Sequence, residues 1–232
     1  MKLVGILLLV AGSAFGSILF VAAPGPEVNN SLQAATRVLE LGATGTESGC
    51  ISWNGVADVA GVCTLGGAGF SGGDEKPASQ TRTAGELGIV DGSDLRIVFD
   101  ALEPSGNSIT LDALRLIILH PTTGAPIYSA DLDAPHVFAS TLAGGGQTDG
   151  LFKLDASQAA ALDAAVDADH LLTFNNIRIG LYANLSDNAG GFEGFYIGNR
   201  TSFDPGGVPE PSTLLLSGLG LAAIIAARRS KK

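Results

Sequence analysis

The chain has 232 residues, 46% of them hydrophobic and only 16% charged, with 32 glycines, so it is not a charge-rich disordered chain. Its net charge of −10 understates the middle, because Lys2, Arg228, Arg229, Lys231 and Lys232 account for five of 13 basic residues at the extreme ends. The 8 basic and 22 acidic residues left between 24 and 208 repel phosphate backbones and exclude nucleic acid as a partner.

Met1-Lys2 is followed by an uncharged run from Leu3 to Ala23, closed by Pro24-Gly25-Pro26. A basic start, an apolar stretch and small residues at its end read as a secretory signal, residues 1–23, engaging the export machinery and signal peptidase. Two small-x-small sites are open, Val21-Ala22-Ala23 and Ala14-Phe15-Gly16, and Pro24 would obstruct a cut at the first. The run also nears the ~20 residues that span a bilayer, so an uncleaved anchor is a further alternative.

Residues 24–207 read as one extracytoplasmic domain. Cys50 and Cys63 are the only cysteines, and export to an oxidising compartment reads them as a disulfide, with two free thiols the alternative. The run 66–85, rich in Gly, Ser and Thr, reads as a flexible loop. Within it Gly69-Phe70-Ser71-Gly72-Gly73 fits Gly-x-Ser-x-Gly, but the strand before and helix after that a nucleophile elbow needs are missing. Gly67-Ala68-Gly69-Phe70-Ser71-Gly72 fits Gly-x-Gly-x-x-Gly with the same flaw.

Period-two alternation marks strands at Leu95–Ala101, Ile109–Leu119 with a bulge or bend near Ala113, and Ile177–Leu185. Shorter candidates lie at 36–41, 51–56, 136–142 and 192–198, separated by turn signals such as Asp91-Gly92 and Thr122-Thr123-Gly124. Strands with one apolar and one polar face predict an antiparallel β-sandwich-like domain. One helix is predicted over 156–168, capped by Asp155 with Gln158 completing a capping box. Its stripe of Ala159, Leu162 and Val166 would pack against the sheet edge.

No catalytic, cofactor or metal set is assigned. His120, His136 and His170 share no ligand spacing, and Asp131, Ser71 and a histidine make a triad on paper only. Asp131-x-Asp133 and Asp163 with Asp167-x-Asp169 offer oxygen ligands for Ca²⁺ as an alternative. Trp53, Tyr128, Tyr182 and Tyr196 could form a carbohydrate platform.

The C-terminus reads Val208-Pro209-Glu210-Pro211-Ser212-Thr213, an apolar stretch Leu214–Ala227, then Arg228-Arg229-Ser230-Lys231-Lys232. These four basic residues would hold that end in the cytoplasm, and Lys2 does the same for the other end. Recognition peptide, short span and basic stop over 208–232 resemble the PEP-CTERM sorting signal of Gram-negative bacteria. The resemblance implies that a membrane-embedded exosortase recognises Pro209-Glu210-Pro211 and cleaves nearby, after the span has held the chain transiently in the membrane. It further implies a cell-surface or matrix protein with a structural or adhesive role and exopolysaccharide as a partner. A carbohydrate- or calcium-binding module is the alternative, and a secreted hydrolase a third reading; the protein is expected not to be an enzyme.

Overall fold

The computed structural model describes residues 17–21, 35–65, 68–101, 107–139 and 150–200. Most of the signal segment and the whole 208–232 tail lie outside these residues. Among them, most strands join one curled, mixed sheet that runs β2 (Thr36–Leu41), β14 (Glu193–Asn199), β8 (Leu95–Asp100), β12 (Gly150–Leu154), β1 (Ser17–Val21), β10 (Pro126–Leu132), β9 (Ser108–Leu119), β13 (Arg178–Asn188), β3 (Gly45–Trp53) and β4 (Asp58–Ala60). β7 (Arg82–Thr83) and β11 (His136–Ala139) pair with β13 and β9, and β5 (Val62–Leu65) with β6 (Ala68–Ser71) makes a separate hairpin. The domain is mainly β with a single helix among the described residues, α1 (Ala156–Asp167).

The strongest alternation becomes the core. Ile177, Ile179, Leu181, Ala183 and Leu185 are all buried, as are Leu111, Leu114, Leu116 and Ile118 on the partner strand β9. Asn184 faces Ala113 and Leu185 faces Leu111, so Asp112 is the extra residue of a bulge beside Ala113. β2 and β14 form where their short candidates were read.

Four expectations need correction. The sheet is not wholly antiparallel, because β1 pairs with β10 in parallel. β8 has no solvent-exposed face: Leu95, Arg96, Ile97, Val98, Phe99 and Asp100 are all buried. Val98 and Leu151 pack on Val21, Ala35 and Tyr196, which covers the face opposite the main core. α1 lies beside β10 and β12, the two strands flanking β1, and not at a sheet edge. Asp155 does cap it, accepting from the Gln158 N–H at 2.8 Å, but the Gln158 side chain is taken by Tyr128, whose hydroxyl donates to Oε1 at 2.8 Å.

The fourth correction concerns 66–85, which carries β6, β7 and a pinned strap. Gly73 and Asp74 N–H groups donate to Ser48 O of β3, while Lys76 and Gln80 N–H groups donate to Glu40 O and Val38 O of β2. The strap therefore lies between the two ends of the sheet and ties them together. Its close approach depends on glycine at 72, where a Cβ would meet the Gly49 Cα at 2.4 Å and the Ser48 carbonyl oxygen at 2.7 Å. Glycine, serine and threonine at this point serve contact, and the composition that suggests mobility instead permits backbone pairing.

Candidate functional site

A concavity among the described residues lies beside the disulfide. Cys50 on β3 and Cys63 on β5 are bonded, with Cα atoms 6.1 Å apart, and both are buried with Ile117 and Leu119 of β9. Trp53 and Tyr182 pack on this cluster. A groove of about 560 Å³ opens there, with Trp53, Val59 and Leu119 as apolar walls and Ser52, Asn54 and Thr123 as polar ones.

Trp53 is fixed from three directions. Its indole N–H donates to Pro121 O at 2.7 Å, and the Arg178 guanidinium lies 3.6 Å from the ring centroid, a cation–π contact. Arg178 Nη1 in turn donates to Thr81 Oγ1 at 2.8 Å, and the Thr81 N–H donates to Asp58 Oδ1 at 3.0 Å. The turn after β9 reaches Trp53 through Gly124, at φ 69°, where a Cβ would sit 2.3 Å from the Trp53 carbonyl oxygen. Burial pushes the Tyr182 phenol above its ordinary range, against an opposing pull from Arg115. The groove thus presents a braced aromatic ring and neutral hydrogen-bonding groups, the chemistry that suits an uncharged polar ligand with apolar faces.

The remaining candidates are dispersed. Tyr196 accepts from Arg37 Nη2 at 2.9 Å and covers the face of β8, while Tyr128 is held by α1. Burial raises the Tyr128 phenol strongly, with the Asp155 carboxylate adding to the effect. Asp131 forms a forked pair with Arg115, Asp133 faces His136 at 3.2 Å, and Asp163 accepts from the Gly92 N–H at 2.7 Å. Asp169 accepts from the Leu171 N–H at 2.9 Å and lies 3.7 Å from His120. These acids accept from backbone N–H groups, pair with Arg115 or face a histidine, and no group of three or more His, Cys, Asp or Glu suited to a metal occurs among the described residues. His120 Nδ1 accepts from the Thr122 N–H at 3.1 Å; His170 is solvent-exposed, 92% by side chain. Gly69 to Ser71 belong to the β5–β6 hairpin, not to a turn between strand and helix.

Sequence reasoning missed Glu47 and Asn188, both buried. Glu47 accepts from the Ala43 N–H at 2.8 Å and from Asn188 Nδ2 at 2.9 Å. Glu47 sits in Gly45-Thr46-Glu47-Ser48-Gly49, a stretch with no apolar alternation to advertise a strand, so no signal in the sequence pointed to it.

Residues 207–231 match the family model described as the PEP-CTERM protein-sorting motif. The chain carries a PEP-CTERM sorting signal. The matched span takes in Pro209-Glu210-Pro211 and the basic residues Arg228, Arg229 and Lys231, with Lys232 just beyond it. It marks an exported, surface-associated protein whose C-terminus an exosortase recognises. No curated protein matches the chain. No solved structure matches it either. Among the described residues no helix is long and apolar enough to cross a membrane; the PEP-CTERM span Leu214–Ala227 lies outside them.

Proposed function

We propose that this protein is a non-enzymatic structural or adhesive component of a bacterial cell surface or exopolysaccharide matrix. On this reading the exosortase cuts near Pro209-Glu210-Pro211 after Leu214–Ala227 and the basic residues 228–232 have paused the chain in the membrane. The match of 207–231 to the PEP-CTERM motif carries the proposal. The Cys50–Cys63 bond suits an oxidising, extracytoplasmic setting, and the acidic side chains described above serve the fold itself. The test replaces Pro209-Glu210-Pro211 by three alanines in the native host. Wild type should lose the tail by intact mass and reside in the matrix fraction; the variant should keep residues 212–232 and stay with the membrane. A tail removed equally from both would overturn the proposal.

A second reading is favoured by the Trp53 groove: binding of a neutral glycan, with the part of the indole not covered by Arg178 as apolar contact and Ser52, Asn54 and Thr123 as hydrogen-bonding rim. Retention on immobilised host exopolysaccharide should then fall at least tenfold for Trp53→Ala. Equal retention of both proteins would remove this reading and leave the first.

A further inference from the structure

The apolar run that starts the chain does two different jobs. Within it Ser17–Val21 forms a strand that is central in the sheet. Phe20 lies opposite Phe152 and Val21 opposite Leu151 of β12, while Ser17 lies opposite Asp131 and Ile18 opposite Leu132 of β10. Among the described residues, β1 is the one strand whose ladders join β2-β14-β8-β12 to β10-β9-β13-β3-β4. Ile18 is completely buried. The Phe20 ring sits 5.5 Å from Phe152, 5.8 Å from Phe138 and 4.8 Å from His136. On the opposite face Val21 packs on Val98 and Leu151. A cut after Ala23 would take all of this away, leaving β10 and β12 with facing, unpaired backbone edges.

We propose that the export signal ends at Gly16 and that the secretory signal peptidase hydrolyses the Gly16–Ser17 bond, so that β1 is the first strand of the mature protein. The proposal rests on the export reading above and concerns the other end of the chain. Lys2, the eight-residue apolar run Leu3–Val10 and the segment Ala11–Gly16, small at every position but Phe15, make a complete signal, with Ala14 and Gly16 in the small-x-small positions. Water adds across the amide, leaving the carboxylate on Gly16 and an α-ammonium on Ser17. That new cation arises opposite Asp131 in register, on a residue whose carbonyl accepts from the Asp155 N–H at 3.5 Å. The freed end therefore forms next to two acidic residues, and the strand needs no length beyond the cut. The same assignment accounts for Pro24: no peptidase has to act before it.

The test is N-terminal sequencing and intact mass of the full chain exported by its host, with Gly16→Trp and Ala23→Trp alongside. Wild type and Ala23→Trp should both begin at Ser17, and Gly16→Trp should accumulate uncut in the membrane, with mature protein reduced at least tenfold. A mature chain beginning at Pro24, or a block caused by Ala23→Trp and not by Gly16→Trp, would overturn the assignment while leaving export intact. Wild type recovered from the cytoplasm with residues 1–16 attached would overturn the export reading together with it.

Discussion

Two segments hold the two halves of the sheet together, and they do so by opposite chemistry. β1 is apolar on both faces and works from the inside, with Ile18 and Phe20 in the main core and Val21 in the smaller one. The strap between β6 and β7 is polar and works from the outside, through main-chain bonds to Ser48, Glu40 and Val38 and the Asp74 and Glu75 carboxylates on the Ser48 and Cys50 N–H groups. Buried apolar area brings ~25 cal/mol per Å², whereas each such hydrogen bond nets about 1 kcal/mol after exchange with water. Losing the inner seam should therefore cost cooperative folding, and losing the outer one should cost a fraction of it.

The sharpest break in that comparison is a chain expressed from Pro24 onward, which should fail to fold cooperatively, with no sigmoidal denaturant transition by far-ultraviolet circular dichroism. Ile18→Ala in the otherwise intact chain should cost about 2–5 kcal/mol in the same measurement. Next comes the brace beside the strap: Cys50→Ala with Cys63→Ala should lower stability by roughly 3 kcal/mol, because the bond closes a short loop, and reduction should match it. In the strap itself, Gly72→Val should cost about 1–3 kcal/mol by overpacking against Gly49 and should open amide exchange at Lys76 and Gln80 before the rest of the sheet. An equal loss from Gly72→Val and Ile18→Ala would show that both seams are one cooperative unit.

The smallest effect separates α1 from both seams. Asp155→Ala should cost about 1 kcal/mol as a lost N-cap, read from the denaturation midpoint. The Ser157 hydroxyl, then the Gln158 N–H, hold the Asp155 carboxyl below the usual range. A depressed carboxylate contributes stability above its unfolded value of ~3.9 and loses it as pH falls through the lower folded value. Asn caps without titrating, so Asp155→Asn should lose less stability than wild type between pH 5 and pH 2.

Much of the molecule was legible from local pattern. The inward set of β13, the bulge near Ala113, the cap and buried stripe of α1, the disulfide and the sorting tail each depend on residues close together in the chain or on a charge sequence at its end. β12 was not legible, because Gly150-Leu151-Phe152 lacks the alternation that marks a half-exposed strand, whereas β10 carries that alternation over Tyr128-Ser129-Ala130-Asp131-Leu132 and went unread. The groove was half legible: Trp53 and Tyr182 were named as candidate sugar contacts, but their meeting on the disulfide required β3 and β13 to pair.

Sequence alone determined the class of fold, the acidic exported body and the PEP-CTERM tail, since amphipathic period, net charge and terminal motifs are properties of the chain whatever its shape. Tertiary structure decided which apolar residues belong to the body. Leu3–Val10 and Ile18–Val21 are both apolar in sequence, and only the place of β1 between β10 and β12 marks the second as part of the fold. The polar strap was decided the same way, because backbone groups pair according to which edges lie within reach.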